Sequence, residues 1–287
     1  MFVKGHCSPS KKDNIVSCLD KKILLKIAKG LNKYDYYIKI YRNKKKLHNE
    51  ISDKISKKTS CKDEKCWKTI DLLKNELSND ELDLFESSFR PDMPNTWDSN
   101  PNTWLSTIDI NKVMEQYEEA YPKFQYLGAN PIDFDKKLSG NKCVVNQLCN
   151  ININDVRKEG KEFLGMVFNT DPHDSSGEHW FSLYIDLKGV NIKNKPCIYY
   201  FDSIASKPKD EVVDLVKRVQ EQCLKINKDI EFLFNDIKHQ HENTECGVYC
   251  LHFLVSMLKG EDFKKYIKKK RNDKKMEKFR KFFFIPQ

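Results

Sequence analysis

The chain has 287 residues, 39% of them hydrophobic, and its 51 Lys and Arg against 42 Asp and Glu give a formal net charge of +9. This length fits one large domain or two ordinary ones. No run of about 18 apolar residues occurs, so no membrane span is predicted. Residues 1–6 lack the apolar core of a signal peptide, and the ten cysteines are therefore expected to be reduced thiols in an intracellular protein or particle.

Residues 1–88 are rich in lysine and are predicted to form a mainly helical N-terminal arm. One helix is predicted from apolar residues at helical spacing, which are Ile23, Leu24, Ile27 and Leu31. A second helix is predicted over residues 66–77. Cys61 and Cys66 could ligate zinc, but no second close pair follows to complete a tetrahedral site, so no metal is expected.

The composition changes at residues 89–101, where three prolines and several Asn and Asp residues indicate a linker or an extended start to a domain over 89–287. A helix follows over residues 109–120, with Asp109 as its predicted N-cap. Residues 121–160 give no clear pattern.

The β region is clearer than the segment before it. Short apolar runs predict a meander of three strands and one further strand, at residues 163–169, 179–187, 197–203 and 231–235. An amphipathic helix is predicted over residues 212–226, with Pro208 in its first turn. Residues 263–287 are predicted to be a basic helical region.

At Cys246 a polar loop changes into a segment that is apolar on nearly every face, which predicts a buried helix. A thiol in the first turn of that helix faces the positive end of the helix dipole, which favours the nucleophilic thiolate. Gly247 has no Cβ and lets a substrate approach closely. Cys246 is therefore a candidate nucleophile, although the pattern alone also fits a buried structural cysteine.

His179 begins one predicted strand and Asp202 ends the next. If these strands are antiparallel neighbours, the two side chains meet at one edge of the sheet. A carboxylate that holds one imidazole nitrogen leaves the other nitrogen free to face a thiol. The amide of Gln240 and the backbone N–H of Cys246 could then donate to an oxyanion.

Each of these residues also has an ordinary structural interpretation. His179 alone fits a surface histidine at a strand end, and Trp180 fits a core residue. Four other histidines compete as the base, namely His173, His239, His241 and His252. We rank them below His179, because closeness to a cysteine in sequence does not place a ring over its thiol.

Three motifs together resemble a known group of enzymes. They are Gly-Glu-His-Trp at residues 177–180, Tyr-Phe-Asp-Ser at residues 200–203, and Gln240 followed six residues later by Cys-Gly. Their order and neighbours resemble the adenain and ubiquitin-like-protein protease superfamily of cysteine peptidases. Residues 102–110, 169–171, 244–247 and 275–280 resemble more narrowly the polyprotein-processing proteases of African swine fever virus and other large DNA viruses.

The resemblance implies an α+β fold with a central mixed β-sheet packed by helices, and it covers residues from about 89 to the end. It implies that Cys246 attacks a peptide carbonyl, that His179 is the base and that Asp202 orients it. Gln240 would supply an oxyanion donor. The swine fever enzyme has Asn in place of Asp202, and either residue can orient a histidine.

The resemblance also implies a substrate site. Trp180 would wall a narrow channel that admits small residues such as Gly-Gly before the scissile bond, and Asn169 would line the same cleft. The expected activity is cleavage of viral structural polyproteins at Gly-Gly-Xaa-type sites during virion maturation, without a cofactor or a membrane. The expected location is the virion and the host cytoplasm.

Two alternatives stay open. The first is a deconjugating protease that acts on ubiquitin or a ubiquitin-like modifier with the same residues. The second is an inactive DNA- or scaffold-binding protein. The second is motivated by the basic C-terminal residues, Lys264, Lys265, Lys268, Lys269, Lys270, Arg271, Lys274 and Lys275, and adenain's use of DNA as an activator suggests the same partner for an active enzyme.

Overall fold

The computed structural model describes residues 6–11 and 16–286. The rest of the predicted arm, residues 1–5 and 12–15, lies outside the described residues, as does residue 287. The chain divides into two compact units, Met1–Pro91 and Asp92–Gln287, whereas the sequence predicts a boundary after residue 88. In the described part of the chain, no helix is both long enough and apolar enough to cross a bilayer.

The first unit is helical in its described part. Its α-helices are α1 (Lys21–Asn32), α2 (Lys44–Lys58), α3 (Asp71–Glu76) and α4 (Asn79–Ser87). The predicted first helix is confirmed as α1, whose buried face includes Ile23, Leu24 and Ile27. The single helix predicted over residues 66–77 is wrong. A short 3-10 helix precedes α3, and Ile70 between them is extended, where it forms the N-terminal boundary of α3.

The expectation that all cysteines are reduced is wrong for six of them. Disulfides join Cys7 to Cys18, Cys61 to Cys66 and Cys143 to Cys149. The paired Cα atoms lie 5.0–6.3 Å apart, within the range that a disulfide spans. The free thiols are Cys197, Cys223, Cys246 and Cys250. Across the described residues, no group of three or more His, Cys, Asp or Glu side chains could hold a metal ion.

The second unit alternates strands and helices. Its strands are β1 (Phe124–Asn130), β2 (Phe163–Asn169), β3 (Trp180–Asp186), β4 (Cys197–Phe201) and β5 (Glu231–Phe234). Its helices are α5 (Thr107–Ala120), α6 (Asn146–Cys149), α7 (Ile153–Lys158), α8 (Asp210–Leu224), α9 (Cys246–Leu258), α10 (Phe263–Lys268) and α11 (Asp273–Phe283).

The five strands form one mixed sheet in the order β1-β2-β3-β4-β5. The two inner pairings are antiparallel, and the outer pairs β1–β2 and β4–β5 are parallel. The predicted meander and the α+β class with a mixed sheet are confirmed. Strand β1 was not predicted, because Gly128 at φ +86° and an irregular register between Tyr126 and Ala129 break the alternation of apolar residues.

The N-cap predicted for α5 is wrong. The helix begins at Thr107, and the Ser106 side chain accepts the N–H of Asp109, whose carboxylate accepts the backbone N–H of Ser106 in return. This is a capping box, in which an acidic residue at the third helical position complements the serine cap. Asp109 is therefore inside the first turn, and both residues stabilise the start of the helix.

Helix α9 is the buried helix that the sequence predicts, since all of its residues from Cys246 to Met257 are buried. It packs against β3 on one face of the sheet. Gly165 on β2 permits this close approach, because a Cβ there would lie 2.7 Å from the Phe124 ring and 3.4 Å from Leu254. A second apolar core, including α7 and α8, covers the opposite face.

The turn between β3 and β4 is built around one carboxylate. Asp186 is fully buried, and its two oxygens accept the backbone N–H groups of Lys188, Gly189, Val190 and Asn191 at 2.6–2.9 Å. Four otherwise orphaned donors are therefore satisfied at the place where the chain reverses. The turn stabilises the pairing of β3 with β4, whose other ends carry His179 and Asp202.

We expect Asp186→Ala to lower the free energy of unfolding by about 3 kcal/mol or more, because it leaves several buried N–H groups without an acceptor. Urea denaturation followed by circular dichroism measures this loss. Asp155→Ala is the control, since that carboxylate is 57% exposed and pairs only with Lys158, and it should change stability by less than about 0.5 kcal/mol. Equal stability of the two variants would contradict a structural role for the Asp186 carboxylate.

Candidate active site

His179 and Asp202 meet at one edge of the sheet. His179 directly precedes β3, Asp202 directly follows β4, and the antiparallel register pairs Ser182 with Phe201. The His179 Nε2 atom lies 2.8 Å from Asp202 Oδ1, and the Asp202 side chain is 1% exposed. The ring is thus held through Nε2, which leaves Nδ1 to face another group.

The thiol of Cys246 is near enough to the His179 ring to contribute to the pKa of that ring. Burial lowers the pKa of His179, but hydrogen bonds and charge interactions with Asp202 and Cys246 outweigh it and raise the pKa to about 9. The imidazolium therefore persists at neutral pH beside the sulfur of Cys246. Cys246 is the first residue of α9 and therefore lies at the positive end of the helix dipole.

Asp202 is itself fixed by a residue that sequence reasoning missed. Asn235, 1% exposed, follows β5 at the same edge of the sheet. Its side chain accepts the backbone N–H of Asp202 at 2.8 Å and donates to the Asp202 carbonyl at 2.7 Å. The Asp202 Oδ1 atom also accepts the N–H of Ile204. A single Asn after a short strand has no distinctive sequence pattern, so its position in the fold is the only signal.

Gln240 lies in the loop that leads to Cys246, and its side chain is buried, with 2% of the residue exposed. Its Oε1 accepts the Ser203 hydroxyl at 2.6 Å, and its Nε2 donates to the Glu242 carbonyl at 2.7 Å. The Ser203 carbonyl accepts the backbone N–H groups of His239 and Gln240. Ser203 therefore fixes the amide so that its nitrogen is the donor end, and an Nε2 atom carries two hydrogens.

The loop before the nucleophile is anchored by the start of α11. Asp273 Oδ2 accepts the backbone N–H groups of His241 and Glu242 at 2.9 and 3.0 Å. The Tyr249 hydroxyl, which comes from α9, contacts Asp273 Oδ1 at 3.2 Å and the His239 carbonyl at 3.1 Å. One carboxylate thus joins the loop, the nucleophile helix and the C-terminal helix.

A buried ion pair fixes the residue directly before Cys246. Arg280 Nε lies 2.9 Å from both carboxylate oxygens of Glu245, and the two side chains are 4% and 1% exposed. The guanidinium also donates to the carbonyls of Thr244 and Thr103 and lies over the Trp97 ring. Burial raises the pKa of the Glu245 carboxyl, and Arg280 opposes that rise. Sequence reasoning did not identify this pair.

Trp180 is 7% exposed, and its indole N–H donates to the Leu105 carbonyl at 3.0 Å. Leu105 in turn packs against Gly247, where an added Cβ would lie 3.0 Å from the leucine side chain. Gly247 thus permits close packing of Leu105 onto α9. The preceding residue, Trp104, is 42% exposed and was not singled out from the sequence. The channel wall predicted for Trp180 stays a prediction.

Asn169 orders the loop that leads to His179. Its Oδ1 accepts the backbone N–H groups of Asp171 and Glu178, at 3.0 and 3.3 Å. Gly177 has φ +82°, and an added Cβ there would lie 2.6 Å from the Asn169 amide nitrogen. The contacts of Asn169 are therefore with its own loop, and its assignment to the substrate cleft stays a prediction.

The competing histidines have other surroundings. His173 pairs with Asp133 at 2.7 Å. His239 is fully buried, and burial together with Arg271 lowers its pKa to about 4. His252 is buried beside the Tyr266 hydroxyl, and burial lowers its pKa well below the usual range. His241 is exposed.

The basic C-terminal residues differ in their exposure. Arg271 is 5% exposed, stacks on the Tyr266 ring and donates to the Lys269 carbonyl and the Glu261 carboxylate. Its guanidinium is therefore not part of a surface for phosphate groups. The other seven residues of this set are exposed lysines. A DNA activator that binds through these lysines stays a prediction.

Comparison with known proteins agrees with this geometry. Residues 123–286 match the Ulp1 protease family, C-terminal catalytic domain. A relative from Acanthamoeba polyphaga mimivirus, provisionally named a thiol protease, is 30% identical over 276 residues, which cover 90% of this chain and 85% of the relative. The SUMO-1 cysteine protease of African swine fever virus (isolate Warthog/Namibia) is 27% identical over 254 residues, which cover 84% of this chain and 89% of that protease.

A crystal structure of the African swine fever virus protease superposes on this chain with a TM-score of 0.67. The match covers 99% of this chain and 96% of that one at 24% identity, and it shows a shared fold. The family match spans more than half of the chain and includes the edge of the sheet where His179, Asp202 and Cys246 meet. The chain belongs to the Ulp1 family of cysteine proteases.

Proposed function

We propose that this cysteine protease is an endopeptidase that cleaves viral structural polyproteins at Gly-Gly-Xaa-type sites during virion maturation. The observation that carries the proposal is the hydrogen bond between His179 and Asp202, with Cys246 beside His179 at the start of α9. Viral relatives that align over most of their length support a viral role. The virion and the host cytoplasm are the corresponding proposed locations.

The proposed reaction follows from the positions of these groups. The Cys246 thiolate attacks the peptide carbonyl carbon, and the charge that develops on the carbonyl oxygen is stabilised by donors from Gln240 and the backbone N–H of Cys246. The His179 imidazolium donates its proton to the departing amine, which leaves a thioester. His179 then acts as a base toward the water that hydrolyses the thioester and restores the thiol.

We propose that Trp180 and the exposed Trp104 flank the acyl side of the substrate. Trp180 is fixed by Leu105, whose side chain is fixed in turn against Gly247 beside the nucleophile. Trp104 therefore has an anchored neighbour on its C-terminal side. Two indole rings in these positions would leave little room for side chains, so a preference for Gly-Gly before the scissile bond follows from the proposal.

Deconjugation of a ubiquitin-like modifier is the second candidate. The name SUMO-1 cysteine protease of the swine fever relative favours it, and the same catalytic residues would serve. An inactive scaffold- or DNA-binding protein is less consistent with a hydrogen-bonded pair of His179 and Asp202 beside Cys246. The two active candidates differ in substrate, which is an unfolded linker in one case and a folded protein with a Gly-Gly tail in the other.

Incubation with two substrates separates these candidates. Purified full-length protein in reductant receives a peptide containing Gly-Gly-Xaa or a ubiquitin-like modifier with a C-terminal reporter. We expect cleavage of the peptide and complete loss of activity in Cys246→Ala. Cys223→Ala, which removes another buried free thiol, is the matched control and should retain activity. Release from the modifier alone would favour deconjugation, and activity of Cys246→Ala above a few per cent would contradict the nucleophile.

The alkaline limb of the pH profile should report on His179. Its pKa is raised to about 9, so kcat/KM should fall as the pH rises through about 9 and the imidazolium loses its proton. Asp202→Asn can still hold the ring but removes the negative charge that favours the imidazolium. We therefore expect this limb to move to lower pH in Asp202→Asn.

Asp202→Ala should lose more activity than Asp202→Asn, because alanine cannot hold the ring at all. Initial rates measured across the pH range for all three proteins test both statements. An unchanged alkaline limb in Asp202→Asn would contradict the assignment of the limb to His179. Equal losses in the two variants would contradict an orienting role for Asp202.

We expect Gln240→Ala to lower kcat by about 100- to 1000-fold, as loss of an oxyanion donor does in other hydrolases. Alkylation of Cys246 by iodoacetamide is the control, because the thiolate–imidazolium pair does not require Gln240. The alkylation rate should stay close to that of the unmodified protein. A loss of kcat under tenfold, or a loss of alkylation in parallel with kcat, would contradict the oxyanion role.

A further inference from the structure

The positive charge of the chain is concentrated in one part of the first unit. Residues 21–58 contain 13 Lys and Arg residues and three Asp and Glu residues, a local net charge of +10 against +9 for the whole chain. Residues 92–287 contain 30 basic and 29 acidic residues and are nearly neutral. The excess charge of the protein therefore belongs to α1, α2 and the segment between them.

Part of this charge is neutralised inside the unit. Lys26 on α1 forms an ion pair with Glu81 on α4, and Lys33, directly after α1, forms one with Glu76 on α3. Lys44 is partly buried and donates to the Ser17 carbonyl. These lysines have their own partners and need no external anion.

A second group of basic residues is exposed, and among the described residues its nearest partner is the Tyr41 ring, 5.4 Å from Lys39 Nζ. In the described part of the chain, no carboxylate lies within salt-bridge distance of Lys39, Arg42, Lys45 or Lys46. Lys45 and Lys46 are in the first turn of α2, which contains no acidic residue. Basic side chains there repel the positive end of the helix dipole, so an external anion at this position would be stabilised.

Exposed tyrosines lie along the same segment. Tyr34 is 39% exposed and Tyr37 is 75% exposed. Tyr37 has φ +51°, a backbone conformation that is strained for a bulky side chain, and its hydroxyl donates to the Asp35 carboxylate at 3.0 Å. Strain of this kind persists where the surrounding structure enforces it and is concentrated at functional positions. Here it displays an aromatic ring to solvent.

The segment between the helices runs beside α2. It begins near the C-terminal end of α2, where Lys58 lies 4.6 Å from the centre of the Tyr36 ring and donates to the Asp35 carbonyl. It ends at the N-cap of the same helix, Asn43. The exposed side chains are therefore spread over about 22 Å, the length of a 15-residue helix. We name this surface the arm track, and it consists of Tyr34, Tyr37, Lys39, Arg42, Lys45 and Lys46.

We propose that the arm track binds single-stranded nucleic acid. Unpaired cations would contact phosphates, and the exposed tyrosine rings would stack on unpaired bases, which is how single strands are bound without sequence preference. An anionic membrane fits less well, because the apolar faces of α1 and α2 are buried within the unit and Ile40 is the exposed aliphatic side chain of this segment. This inference is independent of the substrate of the protease.

Fluorescence anisotropy of full-length protein with a labelled oligo(dT) of about 12 nucleotides tests the proposal. We expect binding that weakens between about 50 and 200 mM salt. One variant removes four charges of the arm track, by Lys39→Gln, Arg42→Gln, Lys45→Gln and Lys46→Gln. It should weaken binding about tenfold or more and lower the slope of log Kd against log salt by about 3.

The matched control removes four exposed lysines of the C-terminal region, by Lys264→Gln, Lys265→Gln, Lys268→Gln and Lys269→Gln. The affinity of this control variant for the oligonucleotide should stay within about twofold of that of the unmodified protein, because lower net charge alone has only a small effect. Tyr37→Asn tests stacking, because Asn tolerates a positive φ. It should weaken binding about 5- to 150-fold without changing the salt slope. An unchanged far-ultraviolet circular dichroism spectrum and thermal melting curve in each variant show that the helical first unit is folded.

Three results would overturn the proposal. They are no binding at about 50 mM salt, equal loss in the C-terminal control, and full affinity in Tyr37→Asn together with a preference for duplex. Binding to vesicles of phosphatidylcholine and phosphatidylserine without binding to the oligonucleotide would assign the arm track to membranes instead. Failure of this test leaves the protease assay unaffected, since each experiment reads out a different property.

Discussion

The antiparallel pairing of β3 with β4 is the constraint on which the site depends. His179 precedes one strand and Asp202 follows the other, so a hydrogen bond of 2.8 Å forms only in the observed register. A shift of one residue would turn every side chain of a strand to the opposite face of the sheet. The Asp186 turn lies at the far end of the strand pair and Asn235 lies at the near end. Both therefore help to fix the distance between His179 and Asp202.

The nucleophile is positioned by a second set of buried charges. Asp273 and Arg280, both on α11, bind the loop and the residue directly before Cys246. A buried carboxylate is costly unless it is paired, and both oxygens of Glu245 accept the Nε–H of Arg280. The Arg280 guanidinium also donates to the Thr103 carbonyl, so the C-terminal helix fixes both the residues before the nucleophile and the segment that leads to Leu105.

The sequence predicts what depends on continuous local pattern. The apolar runs identify β2, β3 and β4, the all-apolar segment identifies α9, and motif order brings His179, Asp202 and Cys246 together. It does not predict what depends on three-dimensional proximity. Asn235 and Arg280 are ordinary polar residues until the fold places them beside their partners. Strand β1 is hidden by Gly128 and its bulge, and disulfide pairing follows from Cα distances that a sequence does not contain.

The two units differ in how their charges can act. In residues 92–287 opposite charges nearly cancel, and the important ones are buried pairs at hydrogen-bond distance, such as Glu245 with Arg280. Interactions of this kind are short-ranged and little affected by salt. In residues 21–58 the excess charge is exposed and unpaired at the arm track, where its field extends about one Debye length into solvent and attracts polyanions. Peptide cleavage and the long-range attraction of polyanions therefore depend on different residues. Substitutions can change one of these properties without removing the other.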